Sequence, residues 1–348
     1  MGNYTKLTHT GTQDIETERL LLRRFVMSDA NEIFREWANY ANVTKYLMWE
    51  PHKSISETKT FLMGVLSGYE RSDNYYYWAV ELKNDGILIG SIFADITDER
   101  SKVANAGYCF GERFWNCGYA TEAFRAVVGY MFYDVNINRI EAYHSVNNPA
   151  SGRVMQKAGM IQEGFARQKY ITGNNEEQDC DLYGLVKEDY EETYQPIVRH
   201  FLDLSEINLS AYSLTLKCVD YYEGDKNIGH VPAYEFEIIE KNSGNVFGGI
   251  SLRLGFNDGI YYGGHIGYNI KEEYRNMGAA TAACGIILEL VKAHGFRKVI
   301  ITNNYTNKAS RRVCEKLGAK LVRIAKLPDW HDLYIERQRF VSIYELEF

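Results

Sequence analysis

The chain has 348 residues, of which 45% are hydrophobic and 24% charged, and its formal net charge is −7 at pH 7. This length suits two domains, since one domain usually holds about 100–200 residues. The acidic balance, with no run rich in lysine or arginine, argues against nucleic acid or an anionic membrane as a partner.

The six cysteines show neither a Cys-x-x-Cys pair nor the spacing of a metal site, so we expect reduced thiols and no bound metal. No apolar stretch reaches the roughly 18 residues that a membrane helix needs, and the polar start, MGNYTK, does not resemble a secretory signal. Lys6 also stands where a myristoylation motif requires Ser or Thr. We therefore expect a cytoplasmic protein with no membrane partner.

The first half of the chain predicts alternating strands and helices. ERLLLRRF alternates as a strand does, and residues 28–40 and 54–70 predict helices because each segment opens with a Ser that can cap it. Three strands follow, and the apolar residues after Gly118 recur at the helical spacing. The rest of this half is a strand, a helix over 149–157 and two closing strands, and residues 191–200 are the predicted connector. The strand sequences are YYYWAVEL, LIGSIFAD, VANAGYCF, RIEAYHSV, EGFARQKYI and CDLYGLV.

The second half repeats this order with one difference. Its first strand, SLTLKCVDYY, reaches YEFEIIE after about a dozen residues, where the first half spends about fifty and builds two helices. Downstream the order is the same. The corresponding segments are VFGGISLRL, GGHIGYNI, the helix after Gly278, KVIITNN, a helix opened by Asn307, AKLVRIAKL and RFVSIYELEF.

Two motifs recur at a nearly constant offset. FWNCGYAT, residues 114–121, matches YRNMGAAT, residues 274–281, and NPASGRVMQKAGM, from 148, matches NKASRRVCEKLGA, from 307. Gly278 follows Gly118 by 160 residues, and the second motifs are 159 residues apart. This pattern predicts a duplicated domain, with copies at 1–194 and 195–348, and two copies are too few for a solenoid.

The first repeated motif places glycine and a small residue at the mouth of a helix. The first turn of a helix has backbone N–H groups without partners and a positive dipole end, so it can bind an anion that glycine allows to come close. The motif is neither the dinucleotide-binding fingerprint nor a P-loop. A tight turn that needs glycine for its backbone conformation remains an equal alternative for one copy alone.

The second repeated motif places Asn148 and Asn307 at the end of a strand, with Ser151 and Ser310 three residues later. Asn is a common helix cap and Ser often bonds within the first turn, so a structural role is a strong alternative. The functional interpretation is that the strand end, beside the glycine loop, positions an elongated cofactor.

At these motifs the sequence resembles the GNAT acetyltransferases, whose loop pattern is Arg/Gln-x-x-Gly-x-Gly/Ala. Residues 275–280 match this pattern fully, whereas 115–120 depart from it at Trp115. GYATEA and the ETERLLLRRF segment resemble the RimJ/RimL-like branch, which acetylates protein N-termini and small amines. The implied fold is α+β, with two GNAT-like domains, each a mixed, mostly antiparallel sheet that is splayed at the cofactor gap and flanked by helices.

The resemblance implies acetyl-CoA as the acetyl donor and a primary amine as the acceptor. Backbone N–H groups of the two loops would bind the pyrophosphate, and strand ends would pair with the pantetheine arm. The implied cofactor-binding residues are Phe110, Trp115, Asn116, Cys117, Gly118, Tyr119, Ala120, Asn148, Ile270, Arg275, Asn276, Met277, Gly278, Ala279, Ala280 and Asn307.

The catalytic residues are less defined by the sequence. Many family members carry a Tyr acid seven residues after the Asn, where this chain has Met155 and Cys314, and Cys314 is more often a core residue than a donor. Ser151 is the first substitute, with Ser310 as its counterpart. The candidate bases are His144, Glu141 and a water beside Asn105 in the first copy and His265 in the second. Each of these residues also has a structural interpretation.

Three functions stay open from the sequence. The leading one is a tandem N-acetyltransferase that acts by direct attack of a small amine or a protein N-terminus, as a monomer or a homodimer. In the second, one copy catalyses and the other only binds CoA or serves as a scaffold. A protein-interaction module without CoA is disfavoured by the two intact loops. Because the second copy lacks the early helices, its acceptor pocket should be more open, and residues 328–334 either close it or pack against the final hairpin.

Overall fold

The computed structural model describes residues 6–225 and 228–348 and divides into two compact units, Met1–Tyr190 and Glu191–Phe348. Residues 1–5 of the predicted first domain, on which the expectations about a signal and myristoylation partly rest, lie outside the described residues. Among the described residues, none of the helices combines the length and the apolar character needed to cross a bilayer.

Unit 1 begins with two short strands and an irregular helical region. A 3₁₀ turn at Met27–Asp29, α1 and a π-helical turn at Phe34–Ala38 follow one another directly, over the span predicted as one helix. The regular elements are β1 Ile15–Glu16, β2 Leu20–Arg23, α1 Ala30–Ile33, α2 Ala41–Thr44, α3 Ile55–Arg71, β3 Tyr76–Leu82, β4 Leu88–Asp98, β5 Val103–Phe110, α4 Tyr119–Tyr133, β6 Arg139–Ser145, α5 Pro149–Lys157, β7 Ile161–Ile171 and β8 Glu177–Val186, with α6 Lys187–Glu192 at the junction of the units.

The strands of unit 1 form a sheet of order β1–β2–β3–β4–β5–β6–β8–β7. The described neighbours are antiparallel except β5 and β6, which run parallel. One face packs on α4 and α5 through a core that includes Ile92 and Phe124, and the other packs on α1 and α3 through Ala79 and Leu62. Alternate residues of β3 and β4 point to opposite faces, so these central strands contribute to both cores.

Unit 2 is built from a second set of elements with the same order as the later part of unit 1. They are β9 Ser210–Ala211, β10 Leu214–Tyr222, β11 Ala233–Glu240, β12 Val246–Arg253, α7 Asp258–Gly263, β13 Ile266–Ile270, α8 Ala279–Ala293, β14 Lys298–Asn304, α9 Lys308–Lys316, β15 Lys320–Lys326, α10 Asp332–Ile335 and β16 Phe340–Glu347. The described residues between β10 and β11 form no helix, in agreement with the prediction that this copy lacks the early helices.

The strands of unit 2 form two antiparallel groups, of order β13–β12–β11–β10–β9 and β14–β16–β15. Helix α8 packs on both groups, where Ile287 shares a core with Phe236 and Val299. The opposite face of the first group carries the exposed Glu235 and Asn269. The predicted α+β class with mixed, mostly antiparallel sheets is confirmed, and α7 is an insertion that the sequence did not predict.

Candidate active site

In unit 1 the central strands separate after three parallel rungs. Val103 pairs with Arg139, Ala104 with Ile140, and Asn105 with Glu141, and no further β5–β6 rung forms among the described residues. The later residues of β5 and β6 pair only with their outer neighbours, β4 and β8. The strand ends therefore leave backbone groups exposed in a wedge-shaped gap, which a ligand with amide groups can fill.

Unit 2 has the same gap between β13 and β14. The backbone N–H of His265, which lies just before β13, donates to the carbonyl of Ile300 over 2.7 Å. The described part of β13 forms ladder pairs with β12, and β14 with β16. The last backbone hydrogen bond between the two segments is therefore at His265, one residue before β13. From there the two strands separate, over a length comparable to that in unit 1.

The glycine loops of the two units have the same backbone conformation. Asn116 and Gly118 have φ angles of 60° and 82°, and Asn276 and Gly278 have 63° and 82°. Helices α4 and α8 begin directly after these glycines, and neither glycine position provides a side-chain cap. The N–H groups of each first turn therefore remain available to an anion.

The first position of the loop differs in residue type between the units but not in its contact. The indole Nε1 of Trp115 donates to the carbonyl of Phe110 over 2.8 Å, and the Nε of Arg275 donates to the carbonyl of Ile270 over 3.3 Å. Each bond ties the loop to the last residue of the strand before it. The departure of Trp115 from the expected pattern therefore preserves the same loop-to-strand hydrogen bond.

The loop of unit 1 also carries a cation that sequence reasoning missed. The Arg19 side chain donates to the carbonyl of Cys117 over 3.0 Å, pairs with Glu122 over 2.7 Å and lies 4.4 Å from the centroid of the Tyr119 ring. A Cβ at Gly118 would lie 3.3 Å from this guanidinium. Because 98 residues separate Arg19 from Cys117, no local sequence pattern indicated the contact.

In unit 2 the predicted residues line one cleft of about 680 Å³ between the loop and α9. The cleft also holds two cations on one side of α9, Arg312 and Lys316, and their counterparts by sequence in unit 1 are Arg153 and Lys157. Met277 does not line the cleft, and 66% of its side chain is exposed. The predicted residues in the cleft are Ile270, Arg275, Asn276, Gly278, Ala279, Ala280, Asn307 and Ser310.

A hydroxyl pair closes the helix side of each gap. The Asn148 side chain accepts from the N–H of Ser151 over 3.4 Å, and the Tyr108 hydroxyl lies 3.0 Å from Ser151 Oγ and donates to the Ser151 carbonyl over 2.7 Å. Burial raises the pKa of Tyr108, so its hydroxyl stays protonated. Gly107-Tyr108 recurs as Gly267-Tyr268 at the same offset of 160 residues as Gly118 and Gly278, and this recurrence could have indicated the tyrosine.

Unit 2 repeats the pair. The hydroxyls of Tyr268 and Ser310 lie 2.8 Å apart, and Asn307 accepts from the N–H of Ser310 over 3.1 Å. Burial raises the pKa of Tyr268 as well. Asn148 and Asn307 therefore cap their helices, as the structural alternative predicted, and the serines that they hold face the tyrosines of the gap.

The structure brings His144 to the same helix end as Ser151. His144 is 7% exposed, its Nδ1 lies 2.7 Å from the Ser145 carbonyl, and its Nε2 lies without a hydrogen-bond partner among the described residues. A Cβ at Gly152 would come within 2.4 Å of that Nε2, so only glycine admits this approach. With Nδ1–H donating to the carbonyl, Nε2 carries the lone pair of the ring, and it lies 3.9 Å from Asp181 Oδ2.

The corresponding residue of unit 2 is Asn303. Its Nδ2 lies 3.5 Å from Cys314 Sγ, its Oδ1 has no partner among the described residues, and the side chain is buried. Burial raises the pKa of the Cys314 thiol to about 12, which suits a core cysteine. Asn does not titrate, so unit 2 has no ionisable side chain at the position that His144 occupies in unit 1.

A comparison with models of protein families identifies the family to which this chain belongs. An acetyltransferase (GNAT) domain model matches residues 19–161 and again residues 187–320. The chain belongs to the GNAT acetyltransferase family. Both units are GNAT domains, and the chain is an acyl-CoA-dependent transferase.

Named N-acetyltransferases match half of this GNAT chain over nearly their whole length. YoaA of Bacillus subtilis, an uncharacterized N-acetyltransferase, is 31% identical over 173 residues, or 50% of this chain and 96% of YoaA. The [ribosomal protein uS5]-alanine N-acetyltransferase of Escherichia coli is 23% identical over 181 residues, or 51% of this chain and 92% of that protein. A solved GNAT acetyltransferase from Bacillus anthracis shares 30% identity over 51% of this chain and 99% of that chain, with a TM-score of 0.45.

The residues of the two GNAT loops fit acetyl-CoA, the acyl donor of the family. Each uncapped helix N-terminus offers N–H groups to a pyrophosphate, and each gap offers unpaired strand backbone to the amides of a pantetheine arm. Among the described residues, no group of His, Cys, Asp and Glu side chains is arranged to hold a metal ion.

The prediction that His265 is a base does not fit its surroundings. The ring is completely buried, its Nδ1 accepts from the N–H of Ile300 over 2.9 Å, and its Nε2 lies 3.2 Å from the Tyr194 carbonyl. Burial lowers the pKa of His265 to about 3. Because both nitrogens have partners, His265 links the segment before β13 to β14 and leaves neither nitrogen to accept a proton from an amine.

The segment 328–334 does not line the cofactor cleft of unit 2. His331 Nε2 lies 3.1 Å from the carbonyl of Gly259, and the Trp330 ring lies 6.2 Å from that of Tyr262, so the segment packs on α7. Helix α7 precedes β13, whereas the Gly278 loop follows it. The hypothesis that this segment closes the site beside the Gly278 loop is therefore not supported.

Proposed function

We propose that the chain transfers an acetyl group from acetyl-CoA to a primary amine by direct attack, and that both units bind CoA. The observation that carries the proposal is the duplicated cradle, with the same left-handed Asn-x-Gly turn, uncapped helix and strand gap in each unit. Acetyl-CoA, when bound, supplies the acetyl thioester.

The proposed cofactor-binding residues are those of the two loops, with Asn148 and Asn307 as the caps that position the second helix of each site. The basic residues on α9 extend the cradle, because Arg312 and Lys316 share the cleft with the Gly278 loop. A phosphate group attracts such cations, so we assign them to the phosphorylated end of CoA.

In unit 1 we propose that three side chains handle protons. The Tyr108–Ser151 pair offers a protonated hydroxyl on the helix side of the gap, where a leaving thiolate needs a proton. The proposed proton acceptor is His144 Nε2, which lies beside the same helix turn and 3.9 Å from Asp181 Oδ2. In unit 2, Ser310 with Tyr268 offers the same hydroxyl pair, and no histidine stands at the position of His144.

A second candidate is that unit 1 catalyses whereas unit 2 binds CoA without turnover or serves as a scaffold. Two observations favour it. Asn303 replaces His144, and the sheet face that α1 and α3 cover in unit 1 has no helices from the corresponding segment among the described residues of unit 2. The acceptor classes are a protein N-terminus, as the name of the Escherichia coli relative states for that protein, or a small amine.

Titration calorimetry with acetyl-CoA tests the proposal on the wild type and on Gly118→Glu and Gly278→Glu. Like charges about 4 Å apart repel by about 4 kcal/mol at an effective dielectric of 20, which is about a thousandfold in Kd. We therefore expect two sites in the wild type and the loss of one site in each variant. Release of CoA that depends on an added amine, measured on the same variants, reports which unit turns over.

The chain offers matched controls for backbone strain, since a residue with a Cβ in the left-handed region costs about 1–2 kcal/mol. Gly318 has the same φ of 82° as Gly278 and the same open surroundings, and Gly159 has a φ of 95°. Gly318→Glu and Gly159→Glu should retain both sites. No binding by the wild type, or equal losses in cradle and control variants, would contradict the cradle assignment.

A further inference from the structure

The two units place opposite charges at one position on the sheet face away from the cofactor helices. In unit 1, Asp95 of β4 pairs with Asn105 of β5, and Asn105 forms the last parallel rung with Glu141. The neighbouring Ala94 belongs to the core under α4, so the side chain of Asp95 lies on the other face of the sheet. The carboxylate therefore stands at the row of residues where the strands separate.

In unit 2 the same position is Arg253. Gly267 corresponds to Gly107 and pairs with Ser251, as Gly107 pairs with Phe93, so the residue two positions further along the strand is Arg253 in place of Asp95. The N–H of Arg253 donates to the His265 carbonyl, across from it, over 2.8 Å.

The neighbouring Leu252 belongs to the core under α8, so the Arg253 side chain lies on the other face of the sheet. It donates to the Gly264 carbonyl over 3.1 Å, and a Cβ at Gly267 would lie 3.2 and 3.4 Å from its two terminal nitrogens. Burial lowers the pKa of Arg253, and Glu235 on the same face opposes this shift. A positive group therefore covers the sheet in unit 2 where unit 1 presents a carboxylate.

An amine acceptor needs a side of the gap that the cofactor-binding groups leave open. The phosphate loop and the hydroxyl pair occupy the side of α4 and α5, so an acceptor approaches from the side of α1 and α3. In unit 1 that side is walled by rings, since Phe93 covers Gly107 and lies 6.0 Å from the ring of Tyr77. Aromatic faces and a carboxylate together suit a cation.

Asp95 is accessible, and no arginine pairs with it among the described residues. The nearby Glu141 accepts from Arg139 over 2.8 Å. Asp95 is exposed, yet its surroundings desolvate it enough to raise its pKa. Tyr75, whose ring lies against Gly68 of α3, is the titratable neighbour that faces Asp95 from the edge of β3.

We propose that Asp95 is a specificity-determining residue that contacts a positive group of the acceptor in unit 1, and that Arg253 excludes such acceptors from unit 2. The acceptor class is an amine that carries a second cationic group besides the reacting one. This inference rests on the proposed function, because it assigns the acceptor side of the same gap.

Three probes test the inference by calorimetry on the full chain saturated with CoA, where no turnover occurs. Butylamine, 1,4-diaminobutane and 4-aminobutanoate share a four-carbon amine and differ only in the charge at the far end. We expect 1,4-diaminobutane to bind about tenfold more tightly than 4-aminobutanoate, the size of one charge-assisted hydrogen bond. Asp95→Asn should remove this difference. Asp98→Asn, which changes a carboxylate on the same strand at the hairpin end, should preserve it.

Equal affinities for the three probes in the wild type, no binding of the diamine, or equal behaviour of Asp95→Asn and Asp98→Asn would overturn the inference. The CoA titration of the same samples separates this failure from that of the proposed function. If CoA binds in two sites and the diamine does not bind, only the assignment of Asp95 is wrong, and if CoA does not bind, the cradle itself is wrong. Retained CoA binding by Asp95→Asn also shows that this variant is folded.

Discussion

Acid should destabilise unit 2 through His265, whose neutral ring links the segment before β13 to β14. Its pKa falls from an ordinary 6.5 to about 3 in the folded unit. The unfolded chain therefore binds a proton that the folded unit excludes, so stability is fully present above pH 6.5 and is lost as the pH falls toward 3. Between pH 7.5 and pH 5.0 this linkage removes about 2 kcal/mol.

A second buried histidine acts in the same direction. His294 is completely buried, its Nδ1 lies 2.7 Å from the Val198 carbonyl, and its Nε2 lies 3.0 Å from the Tyr234 hydroxyl. Burial lowers the pKa of His294 as well. The total loss of stability in acid should therefore exceed the contribution of His265 alone.

The assay is urea unfolding equilibrated at pH 7.5 and pH 5.0, followed by a hydrogen-exchange pulse at one fixed pH and mass spectrometry of peptides from β13 and β14. The His265→Gln variant cannot titrate, so its free energy of unfolding should change with pH by about 2 kcal/mol less than that of the wild type. His230→Gln, which replaces an exposed histidine of the same unit, should behave like the wild type. Equal pH responses of the wild type and His265→Gln would refute the assignment of His265 as a neutral structural link.

Two further predictions concern the gap of unit 1. Ser151→Ala and Tyr108→Phe, made in the Gly278→Glu chain, should each lower kcat by about a hundredfold, because each removes one hydroxyl of the pair that supplies a proton. Steady-state release of CoA measures kcat. An unchanged kcat would show that the pair takes no part in catalysis. Trp115→Phe should raise the Kd of the unit 1 site about fivefold, since losing the indole bond to the Phe110 carbonyl costs about 1 kcal/mol. Calorimetry with acetyl-CoA measures that Kd, and Trp330→Phe is the control. Equal affinities for acetyl-CoA in the two variants would show that the indole hydrogen bond does not shape the loop.

Much of the fold was predictable because short sequence patterns determine it. The predicted helix over 149–157 and the predicted strands VANAGYCF and KVIITNN have the bounds found in the structure. Ser54 caps α3 as expected, with its side chain accepting from the N–H of Glu57. Helix α7 was missed because DGIYYG is too short to show a helical period and lies where the first copy has a tight hairpin.

The candidate site was predictable to the extent that it depends on the local backbone. The left-handed turns at Gly118 and Gly278 and the caps at Asn148 and Asn307 follow from the residues of each motif. The contacts of Arg19 with the loop, by contrast, join residues about a hundred positions apart, and periodicity contains no information about such pairs.

The duplication, most of the regular elements and the cradle loops could be predicted from the sequence, since these depend on neighbouring residues and on a constant offset between two motifs. The contacts of the polar side chains around the gap, by contrast, depend on how distant segments pack together. His265 was a candidate base by residue type, but the fold places its Nδ1 against the N–H of Ile300 in β14 and its Nε2 against the carbonyl of Tyr194. His144 lies in β6, where Gly152 lets its ring approach the helix turn and its Nε2 has no hydrogen-bond partner among the described residues. The chemistry of a buried group depends on its partners in space, which the order of residues along the chain does not specify.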